Sequence, residues 1–471
     1  MMRKVLFGIF SLLLAGGGCI FAFLRLGLMT YELTGGSVIP RLRWGSPEDH
    51  YRRIEEARAR EAAPAPPPVE TAAAKPPESA PAVKAPAAPA AAPYWLDFRG
   101  PRRDGVYDET PILTAWPAQG LQELWRTPVG ESYGSVTVAE GRAYTIEQRR
   151  NDEVLAAYDM ATGRELWKNA WPGRFSEAMG GDGPRSTPVW HEGRVYALGA
   201  AGELRAVEAA SGRTLWRTNI LTDAGATNAQ WGMAASPLVV DGLLITTPGG
   251  PSGKSVIAYD KATGRIVWTA ESDPAGYASP IVATLGGTRQ IVITAGKRVF
   301  GLTLDGKLLW DFPWVTEYDV NAAEPVVVSG NRFVITSGYD HGAALVEVGP
   351  SGAKQIWFSK ALKGKFNAPV LYQGHLYGLD EGILACVDAG TGERKWKGGR
   401  YGYGQVLLAS GHLVIATEDG RVVLVKATPE SHQEVASFAA LDGKTWNYPA
   451  LAGGKLLVRN QRELACYRIA P

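Results

Sequence analysis

From residue 94 onward the apolar positions fall in short alternating runs, each closed by glycine. The stretch 186–218 reads STPVWHEG, RVYALGAAG, ELRAVEAASG, RTLWRT, and 367–398 reads NAPVLYQG, HLYGLDEG, ILACVDAGTG, ERKWKG. Period-two alternation bounded by turns predicts short antiparallel strands, four to a unit. A Thr-Gly or Ser-Gly pair separates the third strand from the fourth, with glycine free to take positive φ.

The fourth strand carries a recurrent signature: an acid, two residues, Thr/Ser-Gly, three residues, Trp. It occurs as Asp159 to Trp167, Glu208 to Trp216, Asp260 to Trp268 and Asp388 to Trp396. Altered copies end at Trp310 and Trp357, an isolated copy at Trp125 precedes the first full unit, and Phe438 holds the last position. The eight aromatics span 313 residues in seven steps, about 45 each, the length of a four-stranded propeller blade. These rings are expected to pack between adjacent blades.

First-strand segments begin at or near Ser135, Ser186, Ser236, Ser279, Glu324, Ala368, Gln405 and Tyr448, so there are eight units. The last stops at Pro471 without an outer strand, and the segment around Trp125 supplies one. The expected fold is all-β: an eight-bladed β-propeller of four-stranded antiparallel blades, closed by an N-terminal strand, which leaves no open sheet edge.

The first 93 residues follow other patterns. Val5–Leu24 is an uncharged apolar run of 20 residues between Lys4 and Arg25, long enough as a helix to cross a bilayer core of about 30 Å. It reads as an uncleaved signal anchor. Ser46-Pro47-Glu48-Asp49 has the form of a helix start, and the charged stretch after it reads as a solvated helix. Residues 62–93 are a Pro/Ala tract with almost no large apolar side chain, a disordered linker. The expected division is 1–30 membrane anchor, 31–93 juxtamembrane helix and linker, 94–471 propeller.

Composition narrows the function. With 49 Lys+Arg against 47 Asp+Glu the formal charge is +2, which argues against nucleic acid as a partner. Three cysteines without a CxxC or Cys/His cluster exclude a disulfide scaffold and zinc.

The A-x-D-x-x-T-G-x-x-x-W pattern resembles the pyrroloquinoline-quinone-like (PQQ-like) propeller repeat family, to which quinoprotein alcohol dehydrogenases and the outer-membrane assembly factor propeller belong. FRGPRRDGV (98–106), WGMAASPLVVDG (231–242), VNAAEPVV (320–327) and KTWNYPALAGGKLLVRN (444–460) are similar to PQQ-binding-like repeat proteins without an assigned role. The resemblance implies an eight-bladed propeller outside the cytoplasm, in the periplasm of a cell envelope. The dehydrogenases of that superfamily use an Asp base, oxygen ligands for calcium, cations for the quinone carboxylates and often a vicinal Cys pair. Here Cys386 and Cys466 lie two repeats apart, and no haem motif exists.

Crossings from one outer strand to the next inner strand should converge on one mouth of the axial channel. The candidate ligand residues there are Arg185, Gln230, Trp231, Asn321, Glu324, Asn367, Trp446 and Asn447, amides, aromatics and single charges that suit a small polar or planar ligand. No catalytic or metal-binding set is assigned. Glu147, Asp380-Glu381, Glu418-Asp419 and Lys363-Gly-Lys365 read as solvated turns or surface. The expected function is a membrane-anchored binding or scaffold propeller with protein or small-molecule partners in the envelope. The alternatives are a PQQ- and calcium-dependent alcohol or sugar dehydrogenase, and a carbohydrate or small-ligand sensor stacking its ligand on Trp231 or Trp446.

Overall fold

The computed structural model describes residues 29–34, 37–42, 47–62, 95–177 and 179–471. Eight antiparallel sheets follow one another from 137 to 468, and seven have their four strands in simple sequence order. They are blades 1 (137–172), 2 (189–219), 3 (238–270), 4 (281–313), 5 (326–359), 6 (370–400), 7 (405–439) and 8 (450–468). Blade 8 contributes three strands of its own, and its fourth is Glu123–Pro128, antiparallel to Glu463–Arg468 with Trp125 opposite Cys466. The N-terminal strand therefore closes the ring in the expected way.

The repeat signature has a direct physical meaning. The acid caps the hairpin: Asp159 Oδ1 accepts the N–H groups of Ala161 and Thr162, and Asp388 Oδ1 those of Gly390 and Thr391. The glycine after Thr/Ser holds φ near +73 and also lies flush against the Trp of the preceding blade. A Cβ on Gly163 would stand 2.5 Å from Trp125, on Gly212 2.4 Å from Trp167, on Gly264 2.6 Å from Trp216. Each of these indoles donates to a carbonyl of the next blade, Trp125 to Met160, Trp167 to Ala209, Trp216 to Lys261. Trp268, Trp357 and Trp396 repeat the donation to Leu304, Ala389 and Thr428, and Phe438 covers Gly120. Trp310 also packs between blades, its ring 5.3 Å from Phe333 of blade 5, but its N–H donates within its own blade, to Gln290 Oε1.

Near the start of the inner strands, the blades are linked around the axis by a relay of hydrogen bonds. Ser135 N–H donates to Thr187 Oγ1 (2.9 Å), Thr187 N–H to Ser236 Oγ (2.9 Å), Ser236 N–H to Ser279 Oγ (3.0 Å) and Ser279 N–H to Glu324 Oε1 (3.1 Å). Where the small hydroxyl residues stop, amides take over. Asn367 Nδ2 donates to Gly404 O, Gln405 Nε2 to Trp446 O, and Asn447 Nδ2 to Ser132 O and Gly134 O.

Residues 95–107 occupy the axial channel. Trp95 and Leu96 carbonyls accept from Val138 (blade 1) and Trp190 (blade 2), and Val106–Tyr107 pairs in parallel with the inner strand of blade 7. Between them Arg99 donates to Ala368 O and Pro369 O at blade 6, and Arg103 to Ser236 O, Pro237 O and Pro280 O at blades 3 and 4. A segment that reaches blades on all sides of the ring must lie on its axis, so 98–106 is a plug. Backbone carbonyls that face a channel need donors, and two guanidinium forks supply them.

Helix α1 (Pro47–Ala62) begins at the expected proline. It is not the solvated helix its charge pattern implies. His50, Tyr51 and Ile54 are buried, and α1 bridges the closing seam. Arg58 donates to Thr127 Oγ1 and Pro128 O of the closing strand and to Glu165 and Tyr158 of blade 1. Met29–Thr34 and Ser37–Leu42 pair as a hairpin that the sequence did not announce. The Val5–Leu24 run lies outside the described residues, among which no helix is long and apolar enough to cross a membrane.

Candidate functional site

With the plug below it, the axial channel becomes a blind cup. Its volume is about 620 Å³ and it opens on the side of the interblade crossings. The floor is Phe98 from the plug, Tyr448, Ser279 and Glu324; Phe98 meets Tyr448 edge-on at 5.1 Å. The wall is largely aromatic: Tyr133, Trp231, Tyr277, Tyr318, Tyr339, Phe366 and Trp446 all face the cavity. A concave, mostly apolar space with a few polar groups is the usual form of a ligand site.

Of the residues expected at the mouth, Arg185, Gln230, Trp231, Glu324 and Trp446 line this cavity. Asn321, Asn367 and Asn447 stand behind its wall instead. Asn321 Nδ2 donates to Ala295 O, Gly296 O and Trp314 O while its Oδ1 accepts from Ser337. Asn367 and Asn447 are the interblade clasps described above. Buried amides satisfy backbone groups first, because an unpaired carbonyl or N–H in a packed ring is costly. Trp446 is wedged rather than presented: Phe366 lies 4.9 Å and Tyr133 5.4 Å from its ring, and its Nε1 donates to Glu418.

Several residues read from sequence as solvated turns are interior. Glu147 is fully buried and accepts from Tyr158 and Arg149. Asp380 is buried with Lys397 and Arg394, and Glu418 is buried beneath Trp446. Lys365, read as exposed, is 8% exposed and lines the cup. A short Lys-Gly-Lys string carries no signal of this, because the crossing between blades 5 and 6 folds it inward. The aromatic wall was legible only in part, since Tyr133, Tyr318, Tyr339 and Phe366 sit in loops without periodicity.

The charges of the cup are unbalanced. Glu324 is its single acid; burial pushes its carboxyl above the usual range, while Arg99, 3.6 Å away, and the Ser279 N–H oppose the shift. Lys365 Nζ lies 4.6 Å from the ring centre of Tyr339 and 4.4 Å from that of Tyr403. Arg185 lies over Phe175 at 4.6 Å and donates to Gly181 O. Among the described residues neither cation has a carboxylate within 4.0 Å. Burial lowers both pKa values, and nearby acids or tyrosines only partly restore them. Gln405 also lines the cup, and its Oε1 accepts no hydrogen bond.

This donor set does not fit the quinone and calcium pair that the family resemblance implies. Calcium needs six to eight oxygens, several of them carboxylate. Glu324 is committed to Ser279 and Arg99, and among the described residues no group of three acids, histidines or cysteines converges. Among the described residues, the buried side-chain oxygens without a hydrogen bond at the crossings into blades 6, 7 and 8 are the neutral amide oxygens of Asn367, Gln405 and Asn447. Lys365, two residues before Asn367 and in the cup wall, would repel a dication.

Fold and cup together define a PQQ-like eight-bladed propeller with a plugged, aromatic axial cup. The family model described as outer membrane protein assembly factor BamB matches residues 105–230 and 150–398, well over half of the chain, and the chain belongs to that family. It is 22% identical over 355 residues to the outer membrane protein assembly factor BamB of Bordetella pertussis, covering 75% of this chain and 78% of that one. The BamB of Yersinia pestis is 24% identical over 307 residues, 60% of this chain and 71% of that one. Among solved structures, BamB from Moraxella catarrhalis superposes with a TM-score of 0.56 at 15% identity, over 74% of this chain and all of that one. A europium-containing methanol dehydrogenase gives 0.60 at 13% identity, over 78% and 89%. These structural likenesses speak to the fold.

Proposed function

We propose that this protein is a membrane-anchored scaffold of the cell envelope that holds a partner protein at the mouth of its axial cup. The observation that carries the reading is the cup itself. It is closed underneath by the chain's own plug, walled by aromatic rings, and supplied with two cations that have no carboxylate within 4.0 Å among the described residues. Aromatic and arginine anchors at a concave surface are the features that concentrate binding energy at protein interfaces. Membership of a family described by outer membrane protein assembly supports an envelope partner, and the apolar run Val5–Leu24 supports anchoring. The oxygens a calcium-dependent dehydrogenase would need are occupied or neutral, so the cup suits recognition better than quinone chemistry.

The test is affinity capture from detergent-solubilised envelope, with the full-length chain compared against a Trp231→Ala/Tyr318→Ala variant of matched thermal stability. A stoichiometric envelope protein retained by the wild type and lost by the variant is the expected result. Equal capture by both, or capture by neither, overturns the assignment of the cup as the partner site.

A further inference from the structure

The cup is a cationic, aromatic receptacle, and its charge says what enters it. Lys365 belongs to the crossing from blade 5 to blade 6, and Arg185 to that from blade 1 to blade 2. In a ring of eight these are opposite walls. Lys365 is 8% exposed, touches two tyrosine rings and has no carboxylate partner among the described residues. Keeping an ammonium that far from water without a carboxylate in contact is costly; the more distant Glu381 and Glu418 and the cation–π contacts with two tyrosines offset only part of the cost. Glu324, the one acid that lines the cup, faces the plug arginine rather than either of them.

We infer that the cup receives an acidic segment of a partner protein, with an apolar or aromatic side chain between carboxylates: the ring inserts among the aromatic walls and the carboxylates reach Lys365 and Arg185. The inference rests on the scaffold reading above and specifies the partner's chemistry. A peptide is favoured over a small anion because the wall continues outside the cavity. Tyr318 lines the cup yet keeps 59% of its surface exposed, with Tyr339 edge-on at 5.3 Å. An occupant confined to the cavity would leave that ring in water, whereas a chain leaving the mouth would cover it.

The test uses the full-length chain and three fluorescein-labelled probes: the peptide Asp-Glu-Phe-Glu-Asp, its uncharged counterpart Asn-Gln-Phe-Gln-Asn, and a naphthalene dicarboxylate for a free small anion. The acidic peptide should bind measurably tighter than the other two. Lys365→Met should weaken it by about tenfold or more, as expected for loss of a charge-assisted contact. Lys365→Arg should retain most of the affinity, and thermal melts should show both variants folded. Equal binding of the acidic and uncharged peptides, or acidic binding unchanged in Lys365→Met, overturns the inference. So does binding of the dicarboxylate alone, which would make the cup a small-anion site. None of these outcomes alters the envelope-capture result, so the scaffold reading stands or falls separately.

Discussion

At the scale of single residues, buried charge is arranged in two opposite ways. Glu147 is packed inside the seam between blades 8 and 1, close to Arg149, Arg459 and Tyr158. Burial alone would raise its carboxyl; the Arg149 guanidinium, then Arg459 and the Tyr158 hydroxyl override burial and bring it from 4.5 down to about 2. A carboxyl depressed on folding contributes stability that is complete above its unfolded value and is lost as pH falls through its folded one. The window here runs from about pH 4.5 down to about 2, and the contribution is on the order of 3 kcal/mol. Urea unfolding should therefore show stability declining with acid across that window. Glu147→Gln should lower stability at pH 7 and flatten the decline; an unchanged acid slope would contradict the network. The lysine of the cup is the reverse case, a buried charge that rests on two tyrosine rings with no carboxylate within 4.0 Å among the described residues. Neither was visible in the sequence. Glu147 lies within a strand of blade 1 and Lys365 in a crossing, and only the blades packed over them distinguish them from surface.

The element scale is where the sequence was most readable. The acid, Thr-Gly and Trp of each repeat describe one hairpin and its contact with the blade before it, so a local string encodes a tertiary joint. Two glycines separate the two roles of that position. Gly264 has φ +73 and a Cβ there would lie 2.6 Å from Trp216, whereas Gly193 has the same φ and open space around it. Gly193→Ala should cost only the left-handed backbone penalty, roughly 1–2 kcal/mol. Gly264→Ala adds an overpacked indole, for a total of roughly 2–4 kcal/mol. Equal losses in chemical denaturation would show that the Trp contact adds nothing. The pattern changed where the string was broken. Blade 5 turns through Pro350-Ser351, and Trp310, without a glycine seat there, packs on Phe333 of that blade while its N–H bonds to Gln290 of its own. The charged face of α1 was equally misleading, because Arg58 and Tyr51 use their polar ends as docking contacts to Thr127, Pro128 and Glu131.

Over the whole molecule, stability depends on closure. The strand Glu123–Pro128 and the last strand Glu463–Arg468 are a single ladder, and Trp125 fastens it to blade 1. Trp125→Ala should cost about 3–5 kcal/mol. Amide hydrogen exchange should accelerate together in 123–128 and 463–468 while 281–313 in blade 4 stays protected; acceleration in only one of the two seam strands would contradict the shared ladder. The plug adds a second device of this kind, since Arg99 and Arg103 join blades that are remote in sequence.

The number of blades, the strand order, the seam strand and the joint between Trp and glycine were all set by local sequence, because each depends on period, turn chemistry or a missing partner strand within one repeat. The cup was decided only by the tertiary structure. Its floor comes from 98–106, its cations from crossings on opposite sides of the ring, and the fate of each amide from whether a neighbouring blade leaves a carbonyl in reach. Those are relations between segments separated by hundreds of residues, and no periodicity records them.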